Sequence, residues 1–167
     1  MSTLKVSLIP FNNEHVTQTY EWVRDPELRR MFLMRGEPTP AGHQEYFKKT
    51  LADPTQRVYV ILFQGAHVGN CGIKNISLPK KEGELWIYIG DAAMRGKGIS
   101  KAATELSIQE GFGRLGLKML YVHVAEFNTV AQGLYKGLGF KEVPLSGNDG
   151  AWTDREGKIL RMELRKT

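Results

Sequence analysis

The segment that most restricts the fold is Ile87-Tyr-Ile-Gly-Asp-Ala-Ala-Met-Arg-Gly-Lys-Gly-Ile-Ser100, where an alternating apolar strand enters a glycine-rich turn and then an amphipathic helix. Glycines allow positive φ and a close approach of backbone to ligand. The first amides of the helix lack internal partners and carry the positive end of its dipole. A pyrophosphate fits those properties. A short glycine-rich turn is also an ordinary strand-to-helix connection, so the downstream sequence decides.

A second strand, Met119 to Ala125, runs into Glu126-Phe-Asn-Thr-Val-Ala-Gln-Gly-Leu-Tyr135-Lys-Gly-Leu-Gly-Phe140, a capped helix closed by a glycine. Strand, helix, strand and helix make a crossover unit. Arg95-Gly-Lys-Gly-Ile-Ser100 together with Asn128-x-x-Ala131-x-x-Leu-Tyr135-x-x-x-Gly139-Phe140 resembles the two signature segments of the GNAT superfamily of acyl-CoA-dependent N-acetyltransferases. The pattern departs from the family only in ending at Ser100, a small residue that a phosphate loop tolerates. The resemblance implies an α/β (α+β) fold: a mixed, mostly antiparallel sheet flanked by helices, whose two central strands splay apart to receive the cofactor. It implies acetyl-CoA as co-substrate, and no spacing of the candidate residues makes a metal site. Arg95, Gly96, Lys97, Gly98, Ile99 and Ser100 then hold the pyrophosphate, strand amides from Ile87 and Ile89 to Gly90 bind the pantetheine arm, and Asn128 contacts it as well. Tyr135 becomes the acid that protonates the departing thiolate. Read from periodicity alone, Tyr135 is an inward-packed tyrosine and Asn128 a helix N-cap.

The 167 residues, with a net charge of +5, read as one domain spanning residues 1–167. The charge suits an anionic ligand, and no basic stripe with interleaved aromatics points to nucleic acid. Charged residues interrupt the first twenty positions, so neither a signal peptide nor a membrane span is expected, and a cytoplasmic location follows. The lone Cys71 reads as a buried structural thiol. The expected elements are a strand from Leu4 to Pro10, a helix from Asn13 to Arg24 and further helix near Pro26 to Met34. A helix begun by Thr39-Pro40 runs to Ala52. A hairpin of Gln56 to Phe63 and Ala66 to Ile76 leads through a loop, Leu78 to Gly83, into the strand Glu84 to Ile89. The long helix from Ile99 to Leu115 presents Ala102, Ala103, Leu106, Ile108 and Phe112 as its covering face. In the helix Asn128 to Leu138, Val130, Ala131, Leu134, Tyr135 and Leu138 share one side. Short strands from Phe140 to Pro144 and Lys158 to Arg165 flank a polar segment, Ser146 to Gly157. Its Trp152 is either a loop anchor or a substrate contact. The last strand is a candidate for pairing with a second subunit, leaving monomer and homodimer both open.

Direct transfer requires a neutral amine, hence a base, and backbone donors for the developing oxyanion. Glu84 opens the central strand where members of the family carry a glutamate base; its alternative is an exposed strand-end carboxylate. Glu126 follows the neighbouring strand as a second candidate for binding the amine or acting through water. His123 shares a strand face with Tyr121 and Ala125 and either faces the cleft or serves as a structural histidine. The run from Tyr20 to Phe32 resembles the RimJ/RimL-like branch, above all enzymes that acetylate the 4-amino group of a UDP-linked 4-amino-4,6-dideoxy sugar on the route to pseudaminic acid. That resemblance makes Arg24, Arg29 and Arg30 phosphate contacts and Trp22, Met31 and Phe32 packing surfaces for sugar or base. A solvated charged face and core anchors are the plainer readings. Two other classes stay open: an acetyltransferase for protein N-terminal amines, and a binding module without turnover. A P-loop is disfavoured, because Gly98 stands where Ser or Thr would hold magnesium and Asp91 where the first glycine belongs.

Overall fold

The structure is a computed structural model that describes residues 5–34, 36–149 and 158–167. Its strands are β1 (Val6–Pro10), β2 (Arg57–Phe63), β3 (Ala66–Ser77), β4 (Glu82–Ile89), β5 (Met119–Ala125), β6 (Lys141–Val143) and β7 (Ile159–Arg165). Its α-helices are α1 (Val16–Val23), α2 (Pro26–Met31), α3 (Pro40–Ala52), α4 (Ile99–Phe112) and α5 (Thr129–Gly137). One seven-stranded sheet has the order β1-β2-β3-β4-β5-β7-β6. Every neighbouring pair is antiparallel except β4 and β5, which the α4 crossover makes parallel. The mixed, mostly antiparallel sheet expected from sequence is therefore present. Trp152 and the rest of 150–157 lie outside the described residues.

The two faces of the sheet have different jobs. Leu85, Ile87 and Ile89 alternate onto the side of α4 and join Ile99, Ala103, Leu120 and Val122 in the main core. The opposite face carries the amino-terminal helices, with Val23 and Leu28 packed on Tyr88, and Phe11 stacked on Phe47 at 4.4 Å. No helix among the described residues is long and apolar enough to cross a membrane.

Several expected boundaries move for identifiable reasons. The first helix begins as a 3-10 turn, Asn13–His15, because the Asn12 side chain accepts the Glu14 amide at 2.9 Å while His15 Nδ1 accepts the Asn12 amide at 3.0 Å. Helix α4 stops at Phe112, where Gly113 caps it with its amide on the Gln109 carbonyl at 2.8 Å. Its most buried positions are Ile99, Ala103, Thr104, Ser107 and Gly111 rather than an all-apolar set. Small hydroxyl residues fit there because each donates back to its own helix, Thr104 to the Ser100 carbonyl at 2.7 Å and Ser107 to Ala103 at 2.9 Å. Val130, expected on the packed side of α5, is 82% exposed. The β3–β4 loop is shorter than expected, since β3 runs to Ser77 and β4 starts at Glu82. Finally, β7 is no free edge. It lies between β5 and β6, with β6 covering Arg161–Glu163 of its second side, so it is not the edge strand expected to pair with a second subunit.

Candidate active site

The sheet opens in its middle. The β4–β5 ladder runs from Glu82↔Met119 to Glu84↔Tyr121 and ends, although β4 continues to Ile89 and β5 to Ala125. On its other side β4 stays paired with β3 as far as Gly69↔Ile89. The Gly90 amide donates to the Val68 carbonyl at 2.9 Å. Alternation along an antiparallel ladder then turns the backbone groups of Trp86 and Tyr88 to β3, and those of Ile87 and Ile89 to the opening. Arg95 Nε takes the Ile89 carbonyl at 3.0 Å. Of the strand amides expected to face a cofactor, those of Ile87 and Ile89 are turned to the opening, whereas that of Gly90 is committed to Val68.

Beyond Ile89 the chain makes a 3-10 turn, Ala92–Met94, capped by Asp91, whose side chain accepts the Ala93 amide at 3.0 Å. Gly96 and Gly98 follow with φ of +76° and +80°, and Gly98 is the N-cap of α4. Ile99 anchors the helix start in the core at 1% exposure, with Lys97 exposed and Ser100 half-buried beside it. A Cβ built on Gly96 meets nothing within 4 Å, so the outer side of this loop is open. Free first-turn amides at a fourteen-residue helix, flanked by Lys97, form a donor set that fits a pyrophosphate.

On the other face lies a cavity of about 560 Å³. Glu84, Trp86 and Tyr88 form its floor along one side of β4, with Trp86 and Tyr88 stacked at 6.0 Å and 24°. Met31, Phe32 and Arg29 reach it from α2 and its end, His43 and Tyr46 from α3, and Tyr135 and Asn128 from the α5 side. The Asn128 side chain caps α5 by accepting the Ala131 amide at 3.1 Å. Tyr135 is buried, and burial foremost, with Cys71 and Glu84 as nearby ionisable groups, pushes its phenol well above the usual tyrosine range. Burial likewise holds the His43 imidazole below its ordinary value, and His43 Nε2 is buried without a hydrogen-bond partner.

Glu84 is the vertex of the opening, at the last paired position of the β4–β5 ladder, and is 2% exposed rather than an exposed strand end. Its carboxylate accepts from Asn75 Nδ2 at 3.1 Å and lies 3.9 Å from Lys74 Nζ and 3.0 Å from His123 Nδ1. The other imidazole nitrogen, His123 Nε2, is 2.7 Å from Asp149 Oδ1, which also accepts from Arg161 Nη1 at 2.9 Å. Burial works against the Asp149 charge, but the Ser146 amide, His123 and Arg161 outweigh it and hold that carboxyl below the usual range. Nothing in the sequence marked Asp149, Arg161, Lys74 or Asn75. They come from three separate stretches of the chain, with Lys74 and Asn75 adjacent in β3, and share no motif spacing.

The remaining candidates sit apart. Trp22 lies against Gly90 and the His67 ring, at 4.7 Å from the latter, and does not line the cavity. Arg24 pairs with Glu21 at 3.3 Å on the exposed side of α1. Arg30 pairs with Glu27 at 3.1 Å and rests over the Phe127 ring at 4.9 Å. Arg29 alone of the three arginines lines the cavity, with its guanidinium donating to the Val23 carbonyl at 3.1 Å and to the Gly36 carbonyl. Glu126 is exposed on the turn after β5, outside the cavity.

A split central sheet, a glycine-rich helix start at one side of the split and a buried carboxylate at its vertex fit the acetyl transfer to an amine that the sequence resemblance implies. Residues 5–141 match the acetyltransferase (GNAT) domain, and the chain belongs to that family of acetyl-CoA-dependent N-acetyltransferases. It is 28% identical over 156 residues to an N-acetyltransferase 9-like protein of Caenorhabditis briggsae, covering 85% of this chain and 77% of that protein. It is 27% identical over 158 residues to the human alpha/beta-tubulin-N-acetyltransferase 9, covering 85% and 75%. In three dimensions it is similar to the spermidine N-acetyltransferase of Vibrio cholerae solved with CoA and spermine, at a TM-score of 0.85 and 20% identity over 96% of this chain and 95% of that one.

Proposed function

We propose that the protein acetylates the 4-amino group of a UDP-linked 4-amino-4,6-dideoxy sugar. The observation that carries this reading is the character of the acceptor wall. Trp86, Tyr88, Phe32 and Met31 offer flat and apolar surface suited to the faces of a deoxy sugar ring. Among the described residues only Glu37 joins Glu84 as a carboxylate lining the cavity. A polyamine would bring further ammonium groups to a wall with little to pair them, and an unpaired buried charge is costly. Arg29 at the cavity supplies a cation for the nucleotide's phosphates.

When bound, acetyl-CoA supplies an activated acetyl thioester. Lys97 and the α4 amides would hold its pyrophosphate, with the Ile87 and Ile89 backbone groups and Asn128 available to its pantetheine arm. Glu84 takes the proton from the acceptor ammonium and frees the nitrogen lone pair. Tyr135, kept protonated by burial, gives its proton to the sulfur as the thioester C–S bond breaks, and the second proton lost by the acceptor nitrogen restores the phenol.

The kinship with a tubulin acetyltransferase supports a second reading, transfer to a protein's N-terminal amine. Release of CoA is to be measured with the UDP-amino sugar, N-terminal peptides and spermidine at equal concentrations, with products identified by mass. Saturable acetylation of the sugar with idle peptides and spermidine is the expected result. Preference for peptides replaces the sugar reading with the second one.

A further inference from the structure

We propose that His123 and Asp149 are positioning residues for the base: Asp149, clamped by Arg161, holds the imidazole so that it steadies the Glu84 carboxylate at the opening of the sheet. The inference rests on Glu84 being the base.

The geometry is a linear series of buried groups. Glu84 Oε2 is 3.0 Å from His123 Nδ1, His123 Nε2 is 2.7 Å from Asp149 Oδ1, and Asp149 Oδ1 is 2.9 Å from Arg161 Nη1. The side chains of Glu84, His123 and Asp149 are 3%, 3% and 0% exposed. Ionised carboxylates only accept hydrogen bonds. With an ionised carboxylate at each nitrogen, the ring fills both contacts only as an imidazolium. With one proton fewer, one of the two bonds loses its hydrogen.

The far end of the series decides what it does. Arginine does not give up a proton in a protein, and Arg161 is further held by Glu163 Oε2 at 3.0 Å and lies over the Tyr121 ring at 3.9 Å. Protons therefore do not leave along this path, and the series is a clamp. Asp149 is itself fixed from a third direction, by the Ser146 amide on Oδ2 at 2.9 Å. Among the described residues, the charged and titratable groups around the imidazole are Glu84 on β4 with Lys74 of β3 beside it, Tyr121 on β5, Arg161 and Glu163 on β7, Asp149 after β6, and Tyr135 of α5 beyond Glu84. The chemical step balances within the site: one proton passes from substrate ammonium to a Glu84 oxygen, and the imidazole keeps its own protons.

The test combines the pH dependence of kcat/KM with nitrogen-15 shifts of His123 in wild-type protein and in Glu84→Gln, Asp149→Asn and Asp149→Glu. In wild type a hydrogen is expected on both ring nitrogens, as the carboxylate oxygen facing each of them requires. Asp149→Asn keeps the shape and removes the charge. Its acid limb of kcat/KM is expected to move up by about one pH unit, roughly tenfold in rate below the limb, with KM for acetyl-CoA unchanged and with recovery in Asp149→Glu. A neutral ring in wild type overturns the proposal without any variant having to fold. So does an Asp149→Asn profile that keeps its limb while its melting temperature falls, since that marks a structural residue. Glu84→Gln separates the two levels: a profile unchanged in that variant removes the base and with it this inference, whereas loss of its acid limb with an unmoved Asp149→Asn profile removes the inference alone.

Discussion

Gly90→Ala tests how the acceptor wall is seated on the sheet. A Cβ at position 90 would lie 2.0, 2.2 and 2.4 Å from Cδ2, Cε3 and Cγ of Trp22. Carbon atoms pack at about 3.5–4.0 Å, so the indole has to withdraw by about 1.5–2 Å. It has little room, because the His67 ring stands 4.7 Å from it on another side and Val23, Leu28 and Tyr88 form the cluster it packs against. Position 90 is not in the left-handed region, so the cost is steric rather than conformational. Overpacking of this kind costs about 1–3 kcal/mol, which for a chain of this size lowers Tm by about 2–12 °C. Urea melts of wild type, Gly90→Ala, Trp22→Ala and the double variant make the assay. In the Trp22→Ala background the Gly90→Ala cost should shrink to within about 0.5 kcal/mol of zero, a non-additivity expected only of residues in contact. The acceptor KM should rise in Gly90→Ala while acetyl-CoA affinity holds. An equal cost in both backgrounds, or none in wild type, refutes the reasoning.

Gly98→Ala should cost about 1–2 kcal/mol, because a side chain is disfavoured at φ +80°, and should weaken acetyl-CoA binding measured by calorimetry. Tyr135→Phe should lower kcat by roughly 10²-fold or more with the acetyl-CoA dissociation constant unchanged; unchanged turnover removes the acid role. His43 and His67 both titrate below the ordinary histidine value, chiefly through burial. Unfolding therefore takes up protons, so their contribution is present above about pH 6.5 and is lost as pH falls through their lower folded values; Tm followed from pH 7.5 to 5.5 should drop, and replacing His67 by Gln should flatten that drop. Burial pushes the Cys71 thiol up to about 12, so a disulfide reagent should modify the native protein far more slowly than the urea-unfolded chain.

What the sequence disclosed was whatever one element carries by itself. The strand, glycine turn and helix from Ile87 to Ser100 and the Asn128 cap lie in contiguous residues, and period-two alternation along β5 set His123 on the face of Tyr121 and Ala125. The orientation of Arg24 and Arg30 had a local signal as well, in the Glu21 and Glu27 three residues before each that hold them toward solvent. Trp22 behaved differently: its partner Gly90 is 68 residues away, and only the fold brings a large ring onto a missing side chain. Asp149 was equally hidden, since a polar segment gives no periodicity from which to single out one buried acid. The inner face of α4 misled for another reason. Hydropathy scores Thr104 and Ser107 as polar, yet hydroxyls that bond back to their own helix carry little unmet polarity into a core.

The break between β4 and β5 gives this protein a rim in its interior. A sheet normally keeps unpaired backbone at its two outermost strands, where charge, proline or brevity guards against unwanted partners. Here β1 and β6 are those outer strands, and a third stretch of strand edge, at Ile87 and Ile89, lies at the centre. Helix α4 packs against β4 and β5 beside it. An extended, amide-bearing arm such as a coenzyme's suits an unpaired edge of that kind, and on the proposed reading it would take the place of a missing strand.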